Sequence, residues 1–150
     1  MTVREYLRRP DKLRREILRR KARAAALRDL AASFSLALEQ VSVRSTPDVT
    51  RMQELLADAT DEDAEIRRLT GEMNQVLAET VLYVSSLPDE QLIRVMRLRY
   101  LEGLEWPDIA LRMGYCASRT FELHSRALRL LPPPPPDPPE KTMASFPFSA

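Results

Sequence analysis

Cysteine, histidine and tryptophan each occur once in this chain, and glycine only three times. A single cysteine, Cys116, excludes an internal disulfide framework and fits a reducing compartment. Three glycines are too few for the many tight turns of a β-rich fold, and no strand-length run alternates apolar with polar residues. No apolar run reaches the ~18–20 residues that span a bilayer, and the basic start "MTVREYLRRP" is not followed by the apolar stretch of a secretory leader. A glycine-rich phosphate loop is missing, as is any nucleophile that can be paired with the lone histidine. The acidic run "DATDEDAE" at residues 58–65 lacks the glycine turn of a calcium loop and reads as a solvated helix face. These absences point away from an enzyme, a metal site and a cofactor.

Net charge is also nearly absent, at +1 over 150 residues, but the total conceals three blocks. Residues 1–29 hold eleven Lys/Arg against four Asp/Glu, residues 51–90 hold three against ten, and residues 91–131 hold seven against four. The first two blocks have helical periodicity. Thr2-Val3-Arg4-Glu5 has the form of a capping box, so a helix starts there, and Pro10 is expected to break or kink it. From Asp11 a long helix is expected to run to about Val41, with Leu13, Ile17, Ala24, Leu27, Ala31, Phe34, Leu38 and Val41 on one stripe and Arg20 interrupting it. Turn chemistry at residues 42–48 separates it from a second helix. That helix carries a stripe of Met52, Leu55, Ala59, Ile66, Leu69, Met73, Val76, Thr80 and Tyr83, with Glu62 as its weak point. A short connection makes the pair an antiparallel, coiled-coil-like hairpin, the basic helix beside the acidic one.

Residues 87–131 contain three more helices. The first is expected over about 88–101, with Gly103 as a left-handed cap. A short second helix covers 106–113, with Pro107 in its first turn, and a third starts near Cys116 and continues to about Leu131. Ala110 is small where two helices approach closely, and Gly114 falls in the turn where a positive φ is needed. Ile109, Met113, Tyr115 and Leu123 point inward at matching intervals, with Thr120 at a position usually aliphatic. The tail is different in kind: seven of residues 132–139 are proline, which predicts an extended, disordered end. The expected organisation is thus all-α, with a helical hairpin over 1–86 for oligomerisation, a helix-turn-helix over 87–131 and a Pro-rich tail over 132–150.

The segment "LRYLEGLEWPDIALRMGYCASRTFELHSRAL" resembles region 4 of bacterial sigma factors, through Leu98-Arg99-Tyr100, Gly103, Ile109-Ala110, Gly114, Arg119 and Arg126-Ala127-Leu128. Residues 1–131 together resemble phage sigma-region-4-like proteins related to the ArpU-type regulators of late genes, to which Trp106, Tyr115, Leu123 and His124 correspond more closely. The resemblance implies sequence-specific binding of double-stranded DNA and control of transcription in a phage or prophage, within the cytoplasm of a bacterial host. The third helix, about 116–131, is then the recognition helix in the major groove. It also implies possible partners: host RNA polymerase, and a second copy of the chain through the hairpin, with no membrane. The chain has no room for the sigma region that grips core polymerase. Two other readings stand beside it, a small terminase-like protein of DNA packaging and a helical protein that binds polymerase without DNA.

Six residues are the candidates for DNA contact. Arg119, in the first turn of the third helix, has the reach for guanine N7 and O6. Ser118 and Glu122 share its face, the first as a base or phosphate contact, the second as an acceptor from cytosine or a holder of Arg119 or Arg126. Arg112, Arg126 and Arg129 are phosphate candidates, each with an ordinary surface role as the alternative. Ala117 and Phe121 stand where sigma factors often carry arginine, so the sigma sequence preference does not transfer. Cys116 occupies the cap position as a weak cap, and it reads as buried and inert, with a redox thiol as the other reading. His124 reads as helix packing or a phosphate contact.

Overall fold

The computed structural model describes residues 1–40 and 47–136. All regular structure among them is helical, in the order α1 (Val3–Gln40), α2 (Pro47–Val84), α3 (Glu90–Met96), a π-helical turn (Arg97–Leu101), α4 (Trp106–Met113) and α5 (Ala117–Leu130). The expected turn at residues 42–48 lies for the most part outside the described residues, and so does the tail beyond residue 136. No helix among the described residues is long and apolar enough to cross a membrane. The chain divides into two compact units, one formed by Arg9–Thr80 and the other by Met1–Arg8 together with the chain from Val81 onward.

The start of α1 follows the capping box. The Thr2 hydroxyl accepts from the Glu5 amide at 3.2 Å, and a Glu5 carboxylate oxygen accepts from the Thr2 amide at 2.7 Å. Of the break or kink expected at Pro10, the break does not occur: α1 is one element from Val3 to Gln40 with Pro10 inside it. Pro10 removes one backbone hydrogen bond, but its ring is fully buried, and that burial offsets the loss.

In the Arg9–Thr80 unit, α1 and α2 pack as an antiparallel hairpin. Pro10, Ile17, Ala24 and Ala31 are buried at seven-residue intervals on α1. On α2 the buried positions Glu62, Leu69 and Val76 repeat in the same way, with Ala59 and Thr80 beside them. Both polar interruptions of the sequence stripes therefore sit at seam positions, and they meet. Arg20 donates to Glu62 at 3.1 Å and to Glu16 at 2.9 Å, while Arg23 lies 3.5 Å from the other Glu62 oxygen. Arg9–Glu79 at 3.0 Å and Arg28–Asp63 add further pairs across the hairpin. Exposed pairs contribute little stability, but a carboxylate in the seam with two guanidiniums beside it disfavours any register that separates them. Thr80 is buried without cost to its hydroxyl, which donates to the Val76 carbonyl at 2.7 Å.

The second unit is built round three short helices. Leu92, Val95 and Met96 of α3, Leu98 of the π-turn, Ile109 of α4 and Leu123 and Ala127 of α5 form its core. Tyr6 and Leu7 from α1 and Tyr83 and Val84 from α2 belong to the same core, with the two tyrosine rings edge-on at 4.8 Å. The Tyr83 hydroxyl donates to the Pro132 carbonyl at 2.5 Å, which fastens the chain just after α5. The expected 87–131 module thus also takes residues 1–8 and 81–86, which the sequence places with the hairpin. The expected helix over 88–101 is also modified. Asp89 caps it by accepting from the Gln91 amide, and its end widens into the π-turn, where the Glu102 amide donates to Arg97, five residues back. Gly103 follows at φ 70°, as its expected role requires.

Leu7 is completely buried although some 85 residues separate it from Leu92 in sequence. Leu7→Ala is expected to cost about 2–5 kcal/mol. Chemical denaturation of the full chain measures it, and a loss under about 1 kcal/mol would show that the first turns of α1 are not part of this core.

Candidate nucleic-acid interface

The turn between α4 and α5 is closed by backbone geometry that its residues dictate. Pro107 lies in the first turn of α4, where its missing N–H is harmless. At the other end Gly114 has φ 73°, a conformation that a side chain strains. Its amide donates to Leu111 at 3.3 Å and to Ala110 at 3.0 Å, and the Tyr115 amide returns to Ala110 at 3.2 Å. These bonds satisfy the last carbonyls of α4 and reverse the chain within two residues. Tyr115 is held by Gln91, whose amide donates to its hydroxyl at 2.7 Å.

Cys116 begins α5 without any side-chain cap bond, as expected of a weak cap, but it is exposed rather than buried. A residue at the very start of a helix projects from the turn, so the position cannot enclose it. Thr120, at the inward position usually aliphatic, is buried, and its hydroxyl donates to the Cys116 carbonyl at 3.0 Å. That bond lets a polar residue fill the core site and also fastens the first turn of α5. Leu123, Ala127 and Leu131 continue the buried side.

The opposite side of α5 carries most of the candidate residues. Arg119, Glu122, Arg126 and Arg129 recur at steps of three and four, so they form one exposed stripe, with Ser118 and Ser125 beside it. Arg119 lies 5.7 Å from the centre of the Tyr115 ring and 3.8 Å from Glu122. Glu122 thus forms an exposed ion pair with Arg119, and Arg119 remains about half exposed at 51%. Arg112 is placed apart from this stripe. It sits in the last turn of α4, paired with Glu102 at 3.1 Å, while its carbonyl accepts from Arg94. The structure thus gathers Ser118, Arg119, Glu122, Arg126 and Arg129 on one helix face and engages Arg112 elsewhere.

An aromatic cluster lies beside this face. His124 stacks on Tyr100, meets the Trp106 ring edge-on at 4.7 Å and forms a 2.7 Å hydrogen bond with the Tyr100 hydroxyl. Trp106 also contacts Phe121 at 4.8 Å, and Arg99 lies 5.0 Å from the centre of its ring. Burial, and after it the positive charges of Arg4 and Arg99, hold His124 down to a pKa of about 4. The imidazole is therefore neutral near pH 7, which makes His124 a packing residue and removes it as a cationic phosphate contact. Arg4 is a basic residue beside this face that the sequence did not single out. It is exposed in the first turn of α1 and borders a groove with Glu122, Ser125 and Arg129 of α5. The available signal was Val3, Tyr6, Leu7 and Pro10, an apolar set at helical spacing that places Arg4 on the outward side.

Among the described residues no group of three or more His, Cys, Asp or Glu side chains is placed to hold a metal ion. The chemistry the surface offers is charge and hydrogen-bond donation from guanidiniums and hydroxyls.

Because the folded state holds His124 neutral, the unfolded chain takes up a proton there first as pH falls. The contribution is complete above the ordinary histidine value of 6.5, declines below it and is gone below about 4. An NMR titration of His124 should give a midpoint near 4, and a midpoint near 6.5 would contradict the enclosed, neutral ring. Compared with known proteins, the chain matches no family model, no curated protein and no solved structure.

Proposed function

We propose that this chain is a sequence-specific double-stranded-DNA-binding protein, a phage-type transcriptional regulator that uses α4 and α5 as a helix-turn-helix similar to sigma region 4. The observation that carries the reading is the pairing of the Gly114 turn with the two-sided character of α5. The turn closes one short helix against a longer one. The longer helix buries Thr120, Leu123 and Ala127 and presents Arg119, Arg126 and Arg129 outward. Such a helix laid in the major groove brings its N-terminal residues to base edges and its later arginines to phosphates. Arg119 is the base-reading residue, Ser118 its neighbour on the same turn, and Arg126 and Arg129 the phosphate contacts. Glu122 holds Arg119 in place and weakens binding to phosphate at large, which favours discrimination over bulk affinity.

Three arginines on one helix are a small electrostatic footprint, so a single module binds weakly. The hairpin offers a route to a second copy. Leu18, Leu30, Leu36 and Leu56 are exposed on it, apolar surface that self-association would cover. A dimer would present two copies of α5 to two half-sites.

Fluorescence anisotropy with duplexes from the chain's own genomic neighbourhood tests the reading. Arg119→Ala is expected to lower affinity for the preferred duplex by about 1–3 kcal/mol and to narrow its advantage over random DNA. Absence of salt-sensitive binding by the unaltered chain at micromolar concentration would end the proposal.

A further inference from the structure

The groove between the first turn of α1 and the exposed side of α5 joins residues from opposite ends of the chain. Thr2, Val3 and Arg4 line one wall; Glu122, Ser125, Leu128 and Arg129 line the other, so the polar groups stand on a partly apolar floor. Some 125 residues separate Arg4 from Arg129 in sequence, yet the burial of Tyr6 and Leu7 in the core of this unit fixes the turn that carries Arg4. The capping box fixes it a second time, because Thr2 and Glu5 satisfy each other's amides at the helix start. Arg4 is therefore an exposed guanidinium on a rigid base. Its charge also reaches the α5 side, where it contributes to keeping His124 neutral. Arg129 is exposed across the groove, and Arg126 lies one residue from Ser125 on the same helix. The acid of the groove, Glu122, faces Arg119 at 3.8 Å, which offsets its repulsion of an anion.

We infer that Arg4 and Arg129, with the hydroxyl of Ser125 in the same groove, form a clamp for a phosphodiester of the DNA backbone flanking the site that α5 reads. The inference rests on the DNA-binding reading above and extends it to the N-terminal turn. Two guanidiniums and a hydroxyl on two walls suit the tetrahedral, multi-acceptor oxygens of a phosphate. A contact of this kind positions the protein and carries no base information. The first residues of the chain thereby take part in DNA binding, while the rest of α1 belongs to the hairpin.

Salt dependence tests the clamp. Binding of the full chain to its preferred duplex and to a random duplex is followed by anisotropy over a series of salt concentrations, for the unaltered protein, Arg4→Ala, Arg4→Lys and Arg67→Ala. Arg67 is an exposed hairpin residue and serves as the charge control. In Arg4→Ala, the slope of log affinity against log salt should be smaller by about one, with both duplexes weakened by a similar factor. Arg4→Lys should keep most of the slope, and Arg67→Ala should leave it unchanged. Equal melting temperatures for Arg4→Ala and the unaltered chain exclude a folding defect as the cause. An unchanged slope in Arg4→Ala overturns the clamp and leaves the reading of α5 intact. Loss of affinity for the preferred duplex alone also overturns it, since that would make Arg4 a base contact. A chain that binds neither duplex overturns both.

Discussion

Tyr6 and Leu7 pack against Tyr83, Val84 and the three short helices, and the unit that carries α5 depends on that contact. Helices of seven, eight and fourteen residues are too short to persist alone, so their stability must come from a shared core. The 45 residues from 87 to 131 supply only part of one. The four residues from the two long helices complete it. Residues near the start of the chain and the three short helices thus share one core, and that core fixes the face of α5. The Tyr83 bond to Pro132 closes the same arrangement from the other end.

Charge is used in two ways along the chain. In the hairpin, arginines on α1 face acids on α2, and Arg20 and Glu62 meet at seam positions where apolar residues would otherwise stand. Such a pair specifies register more than it adds stability, because desolvation offsets much of the attraction. In the other unit, Arg119, Arg126, Arg129 and Arg4 stand at the surface, and Glu122 is the acid placed among them. The near-neutral total is the sum of a balanced hairpin, with thirteen Lys/Arg against thirteen Asp/Glu over residues 9–80, and a remainder of ten against nine.

Local chemistry was legible in the sequence wherever a short-range rule decided the outcome. The capping box at Thr2, the positive φ of Gly103 and Gly114 and the span of α4 depend on residues within a few positions of each other. The seam of the hairpin was legible too, since heptad spacing alone selects Ile17, Ala24, Ala31, Leu69 and Val76. Arg20 and Glu62 were visible as separate faults, but that each answers the other depends on the register of two helices. Tyr6 and Leu7 fall within the 1–86 stretch expected to be hairpin, and their actual neighbours in the core are far away in sequence. Pro10 is similar: the local rule allows a break or a kink, and the helix continues through it with the ring buried. The exposure of Cys116 and the groove beside Arg4 depend on tertiary placement, which periodicity does not contain.

The central claim is that one surface, made by the first turn of α1 and by α4 and α5, meets duplex DNA while the Arg9–Thr80 hairpin keeps its structure. Titrating the isotope-labelled full chain with its preferred duplex and following backbone amide resonances tests this directly. Shifts are expected to concentrate in residues 1–8 and 106–131 and to be largest near Ser118, Arg119 and Arg4. Shifts confined to the hairpin, or none at saturating duplex, would contradict the claim.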